Sequence, residues 1–293
     1  MTDFLVTGAS GHLGQLVLGH LLDTLGVAPS RVVATSRNPE KLDAWKGRGV
    51  TVRAADFEKV DALPAAFAGA RRLLLISTDA LDGVGTRLRQ HSAAVAAPGV
   101  DHLVYTSLPF AERSPVSFAP DHAGTERAIA ESALPGWTVL RNHWYCENLL
   151  HSLPNAFATG KWYSAAGEGR LAYIPRGDLA LAAAKALSDD FTGKRTLTLG
   201  GTRSYTTKEI AALAAKATGK PLEVVDVPAE GLVQGMISAG LPEPVARTFA
   251  SFDAAAKEGC LDGGPEDFVA LTGRQPGSVE DWIAANAEKL IPH

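Results

Sequence analysis

The sequence predicts an α/β protein, a doubly wound parallel sheet of the Rossmann type with a smaller α+β lobe toward the C-terminus. Three observations carry this. Short continuous apolar runs alternate with helix-length segments through the first half. The first run ends in a glycine-rich loop that opens an amphipathic helix, and the alternation loosens after about residue 150. Apolar runs without polar alternation suit strands covered on both faces. Their regular exchange with helices is what a doubly wound sheet requires.

The predicted strands of the first half are 4–7, 32–35, 50–54, 73–77, 103–106 and 138–140. Leu13, Leu16, Val17 and Leu21 read as one apolar face and predict a helix over 12–25. Asn38 before Pro39 reads as an N-cap and first helical position. Pro98-Gly99 stops the helix that precedes the fifth strand. Beyond residue 150, short strands are expected at 161–163, 196–199 and 222–227. Helices are expected after Asp178, from the capping box Thr206-Thr207-Lys208-Glu209 up to Gly219, and over 242–257 and 279–290. The predicted division is a cofactor-binding unit, 1–150, interleaved with a smaller acceptor-side lobe, 151–293, that is not independent of it.

A chain of 293 residues buries enough surface to fold without disulfides or a structural metal. The net charge of −4, with no basic block, argues against nucleic acid as a partner. Cys146 and Cys260 form no CxxC pair, which suits a reducing cytoplasm and predicts no metal site. No signal peptide is visible at the start. The greasiest stretch, 179–187, is alanine-rich, contains Lys185 and is too short to span a membrane. The expectation is a cytoplasmic protein that is not membrane-bound.

The glycine loop reads Thr7-Gly8-Ala9-Ser10-Gly11-His12-Leu13-Gly14, spaced G-x-x-G-x-x-G between a strand and a periodic helix. In that setting glycine lets the backbone turn and approach a pyrophosphate at the helix N-terminus. No Gly-Lys-Ser/Thr follows, which excludes a P-loop, and 8–12 is no nucleophile elbow. At the end of the second strand an NAD site usually carries a carboxylate for the ribose 2′-hydroxyl. Here stand Thr35-Ser36-Arg37-Asn38, so Arg37 is predicted to face a 2′-phosphate and the dinucleotide to be NADP(H). A solvated surface arginine is the competing reading. By strand-end position, Asp56 is expected at the adenine edge, and Ser77 and Thr78 at a ribose.

The glycine spacing, Arg37, Tyr105-Thr106-Ser107 and the run Leu140-Arg141-Asn142-His143-Trp144-Tyr145 together resemble the NmrA-like atypical short-chain dehydrogenases. Within that family the likeness is greatest to bacterial NAD(P)H:quinone oxidoreductases of type 2, then to triphenylmethane reductases. The matching segments run in order through Glu147-Asn148 and Ala165-Ala166-Gly167, so the resemblance covers essentially the whole chain. It implies that Gly8, Ala9, Ser10, Gly11, His12 and Leu13 lie under the pyrophosphate and that Arg37 meets the 2′-phosphate. It further implies that Ser77, Thr78 and Asp79 line the cofactor. The segment from Asn142 through His143, Trp144 and Tyr145 to Glu147 would border the nicotinamide and the acceptor. Trp144 and Tyr145 offer flat apolar surface for an aromatic acceptor; core packing explains Trp144 equally well.

The chain departs from ordinary short-chain dehydrogenases at the proton donor. Residues four beyond its five tyrosines are Pro109, Leu149, Gly167, Gly177 and Glu209, none of them lysine. Where tyrosine and lysine would stand, His122 and Glu126 are one helical turn apart. They read either as a histidine acid or as an ordinary surface pair. Asn142 and Tyr145 are the other catalytic candidates. A ketone reduced to an alkoxide wants a positioned acid, whereas a quinone gives a hydroquinonate that water can protonate. The sequence therefore predicts direct hydride transfer from NADPH to a quinone or similar aromatic electrophile, with no flavin and no metal. The alternative is a non-catalytic NADP(H)-binding redox sensor that signals to a protein partner. Self-association into a homo-oligomer stays open.

Overall fold

In the computed structural model, residues 3–79 and 85–292 are described. Six strands follow the predicted order: β1 (Phe4–Val6), β2 (Val32–Ser36), β3 (Thr51–Ala54), β4 (Arg72–Leu75), β5 (His102–Ser107) and β6 (Gly136–Asn142). Seven helices accompany them: α1 (His12–Gly19), α2 (Asp43–Gly47), α3 (Leu63–Phe67), α4 (Thr86–Val95), α5 (Ala119–Glu131), α6 (Leu149–Thr159) and α7 (Arg176–Ser188). All strands of the main sheet are parallel, with β3-β2-β1-β4-β5-β6 side by side. The order reverses between β1 and β4. That reversal opens a crevice at the strands' carboxyl ends, where such sheets bind ligands.

One strand joins differently from the sequence reading. Lys194–Leu199, expected in the smaller lobe, pairs in parallel with β6 and forms the seventh strand of the sheet. Its first four residues alternate between exposed and half-buried and Leu199 is buried, a half-polar pattern that suits the edge of the sheet. Three two-stranded pairings make up the rest: Tyr173–Ile174 on Trp144–Tyr145, Tyr205–Thr206 on Arg170–Leu171, and Glu223–Asp226 on Lys161–Ser164. The capping box is fully formed: Glu209 N–H donates to Thr206 Oγ1 and Thr206 N–H to the Glu209 carboxylate, and the helix ends at left-handed Gly219.

Helix α1 is shorter than predicted. It passes at His20 into a wider π-helical turn, His20–Thr24. Leu13, Val17 and Leu21 are buried as expected, but Leu16 is 40% exposed and Leu18 takes its place in the core. At 3.6 residues per turn Leu16 lies off the flank of the 13–17–21 row. Asn38 does not cap with its side chain; its own N–H donates to Ser36 Oγ at 3.0 Å, and a 3₁₀ turn, Pro39–Leu42, precedes α2. The apolar stretch 179–187 is the middle of α7, buried almost throughout against α1 and the sheet. Its alanines let the helix approach closely. Arg72 caps its end, donating to the carbonyls of Ala186, Leu187 and Phe191 and to the Asp189 carboxylate. Among the described residues no helix is long and apolar enough to cross a membrane, and no cluster of three potential metal ligands occurs.

Candidate active site

The strands end in hydroxyl side chains that take over once the ladder stops. Ile76 N–H donates to Thr7 Oγ1 at 3.0 Å, and Ser77 N–H to Thr106 Oγ1 at 2.9 Å. Ser36 Oγ lies 2.7 Å from Ser10 Oγ. These bonds tie the chain ends of β1 to β4, β4 to β5 and β2 to the glycine loop, at the mouth of a cleft.

Its floor is the glycine loop. Gly8 has φ +57°, a left-handed conformation that favours glycine. A Cβ on Gly14 would stand 2.5 Å from the Gly8 carbonyl oxygen and 2.6 Å from Ala9 Cα, so the helix can approach the loop only without a side chain there. At Gly11, the N-cap of α1, a Cβ would meet only the Gly8 carbonyl oxygen, at 3.3 Å. Gly11 has no side-chain cap to offer, so the first-turn amides of α1 remain available to an anion.

The cleft has two parts that meet at Ile76 and Ser77. The first, about 570 Å³, is lined by Gly8, Ser10 and Gly11, by Arg37 and Asp56, and by Ser77, Thr78 and Asp79. The second, about 380 Å³, is lined by His12 and Leu13, by His122, and by Asn142, His143, Trp144 and Tyr145. The structure thus gathers all but one of the sequence-predicted site residues. Ala9 lines neither part: it is buried beneath the loop, its N–H donating to the Thr35 carbonyl at 2.9 Å. Glu147, from the same run as Tyr145, turns away and accepts the Arg176 N–H at the start of α7.

Arg37 is exposed at the rim of the first part, with no acidic partner among the described residues, and Lys41 lines the same rim. Both cations therefore face solvent and whatever occupies the cleft. Lys41 was not singled out from the sequence; its place four residues beyond Arg37, in the 3₁₀ turn Pro39–Leu42, is the signal that could have found it. Thr78 is held from behind. Its N–H donates to His91 Nε2 at 3.2 Å and its hydroxyl to Gln90 Oε1 at 2.5 Å. Accepting that N–H makes His91 a neutral ring protonated at Nδ1, which faces Thr125 Oγ1 at 3.0 Å. Burial, aided by the Arg87 charge, pushes its pKa down to about 3.

The second part is walled by Trp144, Phe118 and Phe252, with Trp144 and Phe252 centroids 4.3 Å apart. Asn142 Oδ1 is buried there without a hydrogen-bond partner. An acceptor atom stranded in this way is costly unless a bound molecule supplies a donor. Burial raises the Tyr145 hydroxyl pKa and lowers that of His143 to about 4. His122 does not form the surface pair that its spacing with Glu126 suggested. It is buried, its Nδ1 2.7 Å from the Tyr105 hydroxyl, and burial with the Arg87 charge holds it neutral. Glu126 instead pairs with Arg141 and accepts from Ser107 Oγ at 2.6 Å. Sheet side chains reach both residues before they reach each other.

A glycine cradle without side chains, free helix-start amides and a two-cation rim fit a phosphorylated dinucleotide. The orphaned Asn142 oxygen lies further along, beside an aromatic chamber. The NmrA-like family profile matches residues 2–292. The chain belongs to the NmrA-like family. It is 38% identical to quinone oxidoreductase 2 of Escherichia coli, over 95% of this chain and 96% of that one. The crystal structure of the E. coli NADPH-dependent quinone oxidoreductase complexed with NADPH superposes with a TM-score of 0.90. That match covers 96% of this chain and 99% of the other at 34% identity. The Citrobacter sp. triphenylmethane reductase complexed with NADP(H) gives a TM-score of 0.89 at 32% identity, covering 97% and 100% of the two chains. In this NmrA-like chain, Arg87, Phe118, Arg176 and Phe252 complete the chamber. None of them was marked by a motif, because each comes from a separate element and only the fold brings them together.

Proposed function

We propose that the protein is an NADPH-dependent oxidoreductase that passes a hydride directly to a quinone or similar aromatic electrophile, with neither flavin nor metal between. The observation that carries this reading is the single cleft in which the glycine cradle and the Arg37–Lys41 rim lead into an aromatic chamber. Bound NADPH supplies the hydride. The chain's own contribution is placement: amides of the α1 start and the rim cations hold phosphates, Ser77 to Asp79 border the middle of the cleft, and Asn142 offers an acceptor oxygen. Holding two reactants in register can lower a barrier by several kcal/mol without any covalent step. In this reading residues 1–150 hold the cofactor and 151–293 finish the acceptor side.

Among the described residues the chamber has no tyrosine–lysine pair, and its buried His122 is held neutral. That suits an acceptor whose reduced form is a weak base, as a hydroquinonate is. Buried free Cys146 and Cys260 fit the reducing cytoplasm as its location. A dedicated acceptor chamber favours an enzyme over a sensor. The test is loss of reduced-nicotinamide absorbance with purified protein, NADPH and matched panels of quinones and simple ketones. Quinones should be turned over and ketones left essentially untouched. Ketone reduction at comparable rates, or no turnover of any quinone, would overturn the proposal.

A further inference from the structure

The aromatic wall of the acceptor chamber continues beyond its rim. Trp144 and Phe252 lie 4.3 Å apart between centroids, and Phe118 lies 5.9 Å from Phe252. Phe249, one turn earlier on the helix Glu243–Lys257, adds a further ring 6.3 Å from Phe252. It stands outside the chamber lining and is 45% exposed. With Leu16 and Tyr163 it is one of three large apolar side chains left exposed among the described residues, and of the three it is the one in ring contact with the chamber wall. The helix that carries it is anchored at three points. Asp253, beside Phe252, accepts from Ser164 Oγ at 2.9 Å and from Ala165 N–H at 2.6 Å. Ser117 N–H donates to Ser251 Oγ at 3.2 Å, tying the helix to the segment that brings Phe118. Ala246 and Ala250 are buried with Leu232 and Val233 of a neighbouring helix.

We infer that Phe249 and Phe252 form an outer subsite that takes an aliphatic chain carried on the ring of the acceptor. The inference rests on the proposed acceptor role of this chamber. Continuity identifies the occupant. The rings run from the chamber to solvent, so a substituent leaving the chamber along this wall meets Phe249 next. Their geometry favours a chain over a further flat ring. Interplanar angles of 68°, 58° and 67° leave the rings tilted or edge-on to one another, with no parallel faces to sandwich an aryl group. A flexible chain follows such an uneven apolar strip. The neighbouring cation, Arg247, is held by Glu243 and Glu230, which leaves the strip itself apolar. Full burial of one methylene is worth about fourfold in affinity, and a strip open to water on one side gives about twofold per carbon.

The test measures kcat/KM for methyl-, propyl- and pentyl-substituted naphthoquinones, the chain always in the same ring position, with saturating NADPH. The three rings are electronically alike, so the series reads chain binding. From methyl to pentyl the value should rise roughly tenfold. Phe249→Ala should reduce that rise to about threefold or less, and Phe249→Leu should retain most of it. Taking the ratio within each variant cancels any general change in turnover. Calorimetric binding of the same quinones to wild-type and Phe249→Ala protein saturated with NADP⁺ supplies a readout without turnover. The pentyl compound should bind the wild type about tenfold tighter than the methyl one, with a more negative heat-capacity change. A flat series in the wild-type protein, or a rise of the same size in Phe249→Ala, would overturn the inference. A lower solution mass for Phe249→Ala with the ratio unchanged would do so too, by assigning the exposed ring to a second copy of the chain. Absence of turnover with every quinone would strike the proposed function instead, and the calorimetric comparison would still decide the subsite.

Discussion

Replacing the two rim cations separates their share of cofactor choice. Arg37 and Lys41 both line the cofactor part of the cleft and both are exposed. A charged hydrogen bond is worth about 1.5–3 kcal/mol when shielded, and exposure to water and salt moves it to the low end. With Lys41 still present, Arg37→Ala should therefore weaken NADPH binding by about tenfold, at the lower bound of a single strong contact. The double variant Arg37→Ala/Lys41→Ala should lose roughly a hundredfold and erase the preference over NADH. NADH, which has no 2′-phosphate, should be nearly indifferent to both changes. Nicotinamide fluorescence titrations of each variant with each cofactor, repeated at raised salt, measure this directly. Equal losses for NADPH and NADH, or no loss in the double variant, would refute the placement of the 2′-phosphate at this rim.

Gly11→Val should leave a folded protein that has lost both cofactors, because a Cβ there meets only the Gly8 carbonyl oxygen. Gly14→Ala should instead destabilise the fold by about 1–3 kcal/mol, since its Cβ would press on the backbone of Gly8 and Ala9; urea unfolding and circular dichroism separate the two cases. His122→Ala should lower turnover by less than about tenfold, against the 10²–10⁴-fold typical of a lost general acid. It should nonetheless cost about 1–3 kcal/mol of stability by removing a buried ring and its hydrogen bond with the Tyr105 hydroxyl; a thousandfold fall in turnover with NADPH affinity intact would contradict the minor role in turnover. Acid should destabilise the protein from below about pH 6.5. His91, His102 and His143 are held neutral when folded, with pKa values of about 3, about 4 and about 4, while the unfolded chain takes up their protons. Stability is therefore full above the unfolded histidine pKa and falls with pH toward those folded values. Urea midpoints that stay level between pH 7 and pH 5 would be inconsistent with that burial.

Local chemistry was the most legible part of the sequence. The glycine loop, Arg37 and the Thr206–Glu209 capping box each act within a few residues, so their spacing alone determines their geometry. Strands β1, β2, β4, β5 and β6 were visible because burial on both faces demands unbroken apolar runs. Partner choice was not visible. Lys194–Leu199 has a half-polar edge pattern, and nothing local to it says that its neighbour is β6, some fifty residues earlier in the chain. The same limit applies to His122 and Glu126, whose helical spacing is that of a pair until β5 and β6 present Tyr105 and Arg141. The acceptor chamber was half legible: the Asn142–Tyr145 run follows a strand end, but Arg87, Phe118, Arg176 and Phe252 arrive from four other segments.

Direct hydride transfer in a site with no dedicated acid is the central claim, and isotopes test it most directly. Purified protein is mixed rapidly with a quinone and NADPH deuterated at the transferring C4 position, in single turnover, in light and in heavy water. A clear primary isotope effect from the C4 deuterium, with little change in heavy water, is the predicted result. A large solvent isotope effect with none from C4 would contradict it, because proton transfer from a protein group would then limit the chemistry.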